Sequence, residues 1–139
     1  MPKPVTPRLT VDCVTVDAKG RVLLIRRKNP PYVGHYALPG GFVDVGETVE
    51  DACRRELLEE TGVKAGALHL VGVYSDPKRD TRFHTAAVAY LTRVRAPKAV
   101  AGDDAAAAEW VEDWRKEDLA FDHAIILRDA MRLLKTLGS

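Results

Sequence analysis

Residues 48–61 have the pattern of a helix, yet carry charge where a helix tolerates it least. Thr48, followed three residues later by Asp51, resembles a capping box with Asp in place of the usual Glu. Gly62 stands where a helix C-cap wants a left-handed residue. Between these limits Glu56, Glu59 and Glu60 are spaced i, i+3, i+4, so the three carboxylates share one face. Like charges at that spacing cost a helix about 0.2–0.5 kcal/mol per pair. Two of the three fall in the last turn, where the helix dipole also repels negative charge. Local rules broken together are expected at functional sites. A divalent cation reverses the sign of the penalty, and carboxylate oxygens suit Mg²⁺, Mn²⁺ or Ca²⁺ rather than zinc. Read alone, the pattern also fits a solvated acidic helix face.

The rest of the chain places this helix in an α/β context. The first eight residues hold three prolines and are expected to form a loose arm, with one domain over residues 9–139. Residues 9–16 are rich in β-branched side chains and read as a strand. Asp17 and Gly20 mark a turn, and residues 21–27 form a second strand, so the two suggest a hairpin. Residues 32–46 read as a glycine-rich loop. Residues 68–74 and 82–94 read as strands around a polar loop at 75–81, with a further turn at 102–104 and a short strand starting at 109. Asp122 is a candidate N-cap for a terminal helix in which Ile126, Ala130, Leu133, Leu134 and Leu137 share one face, read as core packing.

Composition excludes several classes. With 21 Lys+Arg against 20 Asp+Glu, the formal net charge of +1 argues against nucleic-acid binding through bulk charge. A hydrophobic fraction of 46% argues against disorder. No apolar run approaches the ~18 residues of a membrane span, and residues 1–8 have no signal-peptide core. A cytoplasmic protein without membrane partners is the expectation. Cys13 and Cys53 fit no metal or redox spacing and read as two buried, reduced thiols, with a disulfide not expected.

One spaced signature surrounds the acidic helix: Gly41, Glu47, Arg55-Glu56-Leu57, Glu59-Glu60, Gly62 and Val63. It resembles the Nudix box, G-x5-E-x7-R-E-U-x-E-E-x-G-U with U a bulky aliphatic residue, at every fixed position. Seven defined residues at roughly one in twenty each make a chance match of order one in a billion per start. The preceding Gly34-His-Tyr-Ala-Leu-Pro-Gly-Gly41 looks like the family's G-x-W-x-L-P-G-G entry, with Tyr36 for Trp. The resemblance implies a Nudix-type α/β/α sandwich with a mixed central sheet. It implies that Glu56, Glu60 and the carbonyl of Gly40 bind Mg²⁺, with Mn²⁺ as a substitute. Glu59 then binds metal or positions the attacking water, and Glu47 and Arg55 pair to hold the loop against the helix. The implied reaction is attack of a water on one phosphorus of a diphosphate, driven by positioning and charge neutralisation.

Substrate choice lies outside the box. Ser75-Asp-Pro77-Lys-Arg79-Asp-Thr-Arg82-Phe-His84 resembles a loop of short ADP-ribose hydrolases, which makes Tyr36, Pro77, Arg79, Arg82 and His84 substrate-binding candidates. The same stretch also fits a plain turn between strands, with Arg79 and Arg82 as surface charges. The leading expectation is hydrolysis of ADP-ribose to AMP and ribose 5-phosphate. Hydrolysis of oxidised or non-standard nucleoside triphosphates is the alternative, and a non-catalytic nucleotide sensor a minor one. For the base, Glu109 before Trp110, Asp104 and Glu59 are rivals, with Asp103 beside Asp104. Trp110 and Trp114 read as core or rim aromatics, while Tyr32, Tyr36 and Phe83 are candidates for stacking on adenine. A homodimer is left open.

Overall fold

The computed structural model describes residues 5–95, 99, 101–102 and 105–138. The elements run β1 (Arg8–Val16), β2 (Val22–Arg27), β3 (Tyr36–Ala37), β4 (Gly40–Phe42), α1 (Val49–Thr61), β5 (His69–Tyr74), β6 (Thr85–Arg93), β7 (Ala105–Val111), a 3-10 turn (Trp114–Lys116) and α2 (His123–Thr136). One mixed sheet follows the order β3-β2-β1-β6-β5, with β4 added to β1 and β7 to β2. β1 is antiparallel to β2 and β4 but parallel to β6 over its whole length, Arg8 facing Thr85 and Val16 facing Arg93.

Alternation along β1 sorts the two layers. Val11 and Cys13 pack with Ala52, Cys53 and Leu57 of α1, whereas Val14 and Val16 pack with Ile126, Leu127 and Ala130 of α2. The result is the α/β/α sandwich expected from the sequence. Thr48 caps α1 as anticipated, its Oγ1 accepting the Asp51 N–H at 3.1 Å, which is worth about 1 kcal/mol. Gly62 closes the helix at φ 72°.

Several expectations change. β1 starts at Arg8, inside the stretch read as an arm. The segment 32–46 is not a continuous loop: β3 and β4 lie within it, because Gly40 and Gly41 let the backbone pair tightly with β1. The strand read at 82–94 starts only at Thr85. β7 is longer than the strand expected from 109, since pairing with β2 draws in alanines that have little strand preference of their own. Asp122 occupies the N-cap position of α2 but makes no side-chain cap bond; its carboxylate is taken by Arg79. Cys13 and Cys53 are both fully buried and meet between β1 and α1, with Cα atoms 6.1 Å apart and Cys13 Sγ donating to the Cys53 carbonyl at 3.3 Å. Forty residues separate them in sequence, and only the packing of α1 on the sheet brings them together. Among the described residues, no helix is long and apolar enough to cross a membrane.

Candidate active site

The box residues converge where β4 meets α1. Asp12 of β1 faces Gly40 of β4, between the hydrogen-bonded neighbours Cys13–Pro39 and Leu9–Val43. One residue along from the first and three from the second, Gly40 falls in a non-hydrogen-bonded pair, so its N–H and C=O point away from β1. The N–H donates to Glu60 Oε2 at 3.3 Å, and the carbonyl is turned to the same side. The glycines are sterically required. A Cβ on Gly40 would lie 2.1 Å from the Val11 carbonyl oxygen, and one on Gly41 would lie 2.7 Å from the Glu56 carboxylate.

Arg55 ties the loop to the helix. Its Nε and Nη2 donate to Glu47 at 2.7 and 2.9 Å, its Nη2 also donates to the Phe42 carbonyl at 3.0 Å, and its Nη1 donates to Glu56 at 2.8 Å and Glu59 at 3.2 Å. These bonds hold the Glu47 carboxyl down at about 2. Behind them, burial raises Glu56, and burial together with the Glu56 charge pushes Glu60 up to about 9. Two adjacent carboxylates that resist losing both protons are suited to a hard cation, which removes the repulsion. Glu59 lies on the solvent side, its side chain 59% exposed. Among the described residues no group of three or more His, Cys, Asp or Glu is arranged to hold a metal ion. The set that does converge is the two carboxylates of Glu56 and Glu60, the second bonded to the Gly40 N–H. That fits Mg²⁺-like ions, which take one or two carboxylates and complete their shell with phosphate oxygens and water.

Beside Glu60 opens a cavity of about 280 Å³. Arg27, Lys28 and Arg82 bring positive charge to it, and Phe42, Phe83 and Phe121 bring aromatic faces. Its floor holds a buried polar cluster. Arg79 forks onto Asp122 at 2.8 and 2.7 Å and donates to Thr85 Oγ1 at 2.7 Å. His123 Nδ1 accepts the Leu38 N–H at 3.0 Å, and its Nε2 faces Asp12 Oδ1 at 3.5 Å. Burial raises the Asp12 carboxyl and lowers His123.

The structure divides the remaining candidates. Arg79 and Arg82 line the cavity, but Arg79 is a buried anchor rather than a surface charge, and Arg82 is forked onto Asp80. Phe83 is at the cavity. Tyr36 is buried in the α2-side core, donates to Glu109 and takes a hydrogen bond from Arg26 at 3.0 Å, so it is not placed for substrate. Glu109 of β7 is correspondingly occupied by Tyr36 of β3 and does not line the cavity, because the β7 register sets it opposite Leu24, on the α2 face. Pro77 is in the loop but not at the cavity, and His84 is turned to the Ser75 carbonyl at 2.8 Å. Asp103 and Asp104 lie outside the described residues. Trp114 is buried and Trp110 half-buried against the α1-side core. Tyr32 packs edge-on against Phe121 and His35. Sequence reasoning missed Asp12, His123 and Phe121; Asp12, a lone acid between apolar neighbours in a strand, was the one signal available.

The NUDIX domain family matches residues 6–133. This chain belongs to that family. It is 45% identical over 126 residues to an ADP-ribose pyrophosphatase of Methanocaldococcus jannaschii, covering 91% of this chain and 74% of the relative. It is 36% identical over 138 residues to the ADPR responsive transcriptional repressor NtrR of Acinetobacter baylyi, covering 93% of this chain but only 55% of the repressor. Its fold matches the NUDIX domain of Shewanella oneidensis NrtR complexed with ADP ribose at a TM-score of 0.88 and 28% identity, covering 94% of this chain and 90% of that one. The chain is thus a Nudix hydrolase by sequence family, fold and box.

Proposed function

We propose that this Nudix hydrolase is a Mg²⁺-dependent ADP-ribose pyrophosphatase that releases AMP and ribose 5-phosphate. The observation that carries the reading is the pairing of two half-buried carboxylates, Glu56 and Glu60, with Glu60 lining a cavity that has both cationic and aromatic walls. The similarity to an ADP-ribose pyrophosphatase across most of both chains supports it.

Glu56, Glu60 and the Gly40 carbonyl would hold the cation, for which Mn²⁺ is a substitute. When bound, the cation supplies neutralisation of the diphosphate oxygens and activation of a water. Arg55 and Glu47 keep the Gly40–Phe42 backbone pressed on α1, fixing the distance between carbonyl and carboxylates. Glu59, exposed on the same helix face, takes the proton of the attacking water. Arg27 and Arg82, which line the same cavity, stabilise the phosphate oxygens, and Phe42, Phe83 or Phe121 stacks on adenine.

The nucleoside triphosphate alternative relied on Glu109 beside Trp110, and Glu109 is committed to Tyr36. The sensing alternative gains from the NrtR domain complexed with ADP ribose, since binding alone would satisfy that likeness. Incubation with ADP-ribose and Mg²⁺, with products resolved by chromatography, tests the proposal. AMP and ribose 5-phosphate in equal amounts are expected. Calorimetric binding without AMP at micromolar protein would leave the sensor, and faster pyrophosphate release from a triphosphate panel would favour the alternative enzyme.

A further inference from the structure

Alternation along β1 places Thr10 and Asp12 on the same face as Val14 and Val16, the face that packs on α2. An apolar pair would be expected there. Instead two oxygens are buried without a hydrogen-bond partner, Thr10 Oγ1 and Asp12 Oδ2. Both residues line the cavity beside Glu60, and Asp12 is only 7% exposed. Facing them across the parallel pairing are Ala87 and Ala89 of β6, whose small side chains leave room above the pair.

Among the described residues, the Asp12 carboxylate is held only by long contacts to Arg79 and His123. Arg79, the cation beside it, is already satisfied by the forked bonds to Asp122 and the bond to Thr85, and reaches Asp12 Oδ2 only at 3.5 Å. His123 faces the other oxygen, Oδ1. Burying a carboxylate whose Oδ2 has only a long ion pair and no hydrogen bond costs stability, and native structures keep such groups where something else uses them.

We propose that Thr10 and Asp12 form a ribose-recognition floor, in which Asp12 Oδ2 accepts a hydrogen bond from a ribose hydroxyl and Thr10 Oγ1 bonds its neighbour. The assignment rests on reading the cavity as the site of a nucleoside diphosphate. A carboxylate repels phosphate, which belongs with the cation site and the arginine wall. The flat base needs apolar faces, and these are Phe42, Phe83 and Phe121. A hydroxyl is the substrate group that a carboxylate and a threonine side by side can bind. Because Asp12 stands opposite Gly40, the sugar bound there is one attached directly to the diphosphate. Both riboses of ADP-ribose meet that condition, so the test separates them.

Calorimetry would compare AMP with 2′-deoxy-AMP, and ribose 5-phosphate with 2-deoxyribose 5-phosphate, in the wild type, Thr10→Val and Asp12→Asn. These are single-ribose ligands, so the result does not depend on whether the wild type cleaves ADP-ribose, which chromatography reads separately. In the wild type, one of the two pairs is expected to show about a tenfold or greater preference for the hydroxylated sugar, the size of a hydrogen bond to a charged group. That preference should fall below about threefold in both variants, and the pair that shows it names the ribose. Thr10→Val keeps the β-branched shape of the strand, so it reports even if Asp12→Asn folds poorly. Equal binding of both sugars in both pairs overturns the proposal, and so does a preference that survives in Thr10→Val. A uniform loss for all four ligands overturns it too, since damage to the cation site gives that result.

Discussion

Glu60→Gln separates the burial cost of a carboxylate from its use. Glutamine keeps the oxygen that accepts the Gly40 N–H and the shape of the side chain, and removes only the charge. In the metal-free protein the Glu60 carboxyl stands at about 9 against a usual value of 4.5, for burial and for the Glu56 charge. Between these values the folded chain binds the proton that the unfolded chain has lost. Stability is therefore full below about pH 4.5 and falls as pH rises toward 9, by at most about 1.4 kcal/mol per pH unit. Sharing the proton with Glu56 and relaxation toward water reduce that ceiling, and a slope of about 0.5 kcal/mol per unit is enough to measure. The variant lacks this slope. Urea denaturation in EDTA at pH 6, 7 and 8 should show Glu60→Gln more stable than the wild type, by a margin that widens with pH. Mg²⁺ should stabilise the wild type increasingly with pH and the variant little, while turnover in the variant falls at least about 100-fold. A variant less stable than the wild type throughout, or a margin independent of pH, would refute the placement of Glu60 as a buried, charge-frustrated ligand.

Other substitutions probe the geometry around it. Gly41→Ala drives a methyl into the Glu56 carboxylate and should lower kcat about tenfold or more with the fold retained by circular dichroism. Gly40→Ala meets the Val11 backbone instead, so it should cost about 1–3 kcal/mol in denaturant titrations. Arg55→Ala releases Glu47, Glu56 and the Phe42 carbonyl together, and Mg²⁺ titration of activity should show about 10–100-fold weaker dependence, with Arg55→Lys recovering only part. Glu109→Gln should leave kcat within about threefold in steady-state assays, because its partner is Tyr36; a loss matching that of Glu60→Gln would return Glu109 to the reaction.

The acidic helix was legible because everything that defines it is local. Thr48, the Glu56/Glu59/Glu60 face and Gly62 lie within fifteen residues, and cap, period and C-cap each follow from short-range geometry. The strands were legible for the same reason where β-branched residues alternate, as in β1. Illegible were segments that gain structure only from a neighbour. β4 is three residues, two of them glycine, and is a strand only because β1 lies beside it. Asp122 looked like a helix cap because the sequence does not reveal that Arg79, 43 residues away, will take its carboxylate.

The sequence by itself therefore determined the chemistry of the helix: which carboxylates share a face, and which residues turn the chain around them. Tertiary structure decided which groups the helix works with. Parallel pairing of β1 with β6 and the arrival of α2 set Asp12, Arg79 and His123 on one floor, and the β7 register carried Glu109 away from it. Helical spacing is fixed by bond geometry within a few residues, whereas partnership across a sheet depends on register, and one step of register turns a side chain from one face to the other.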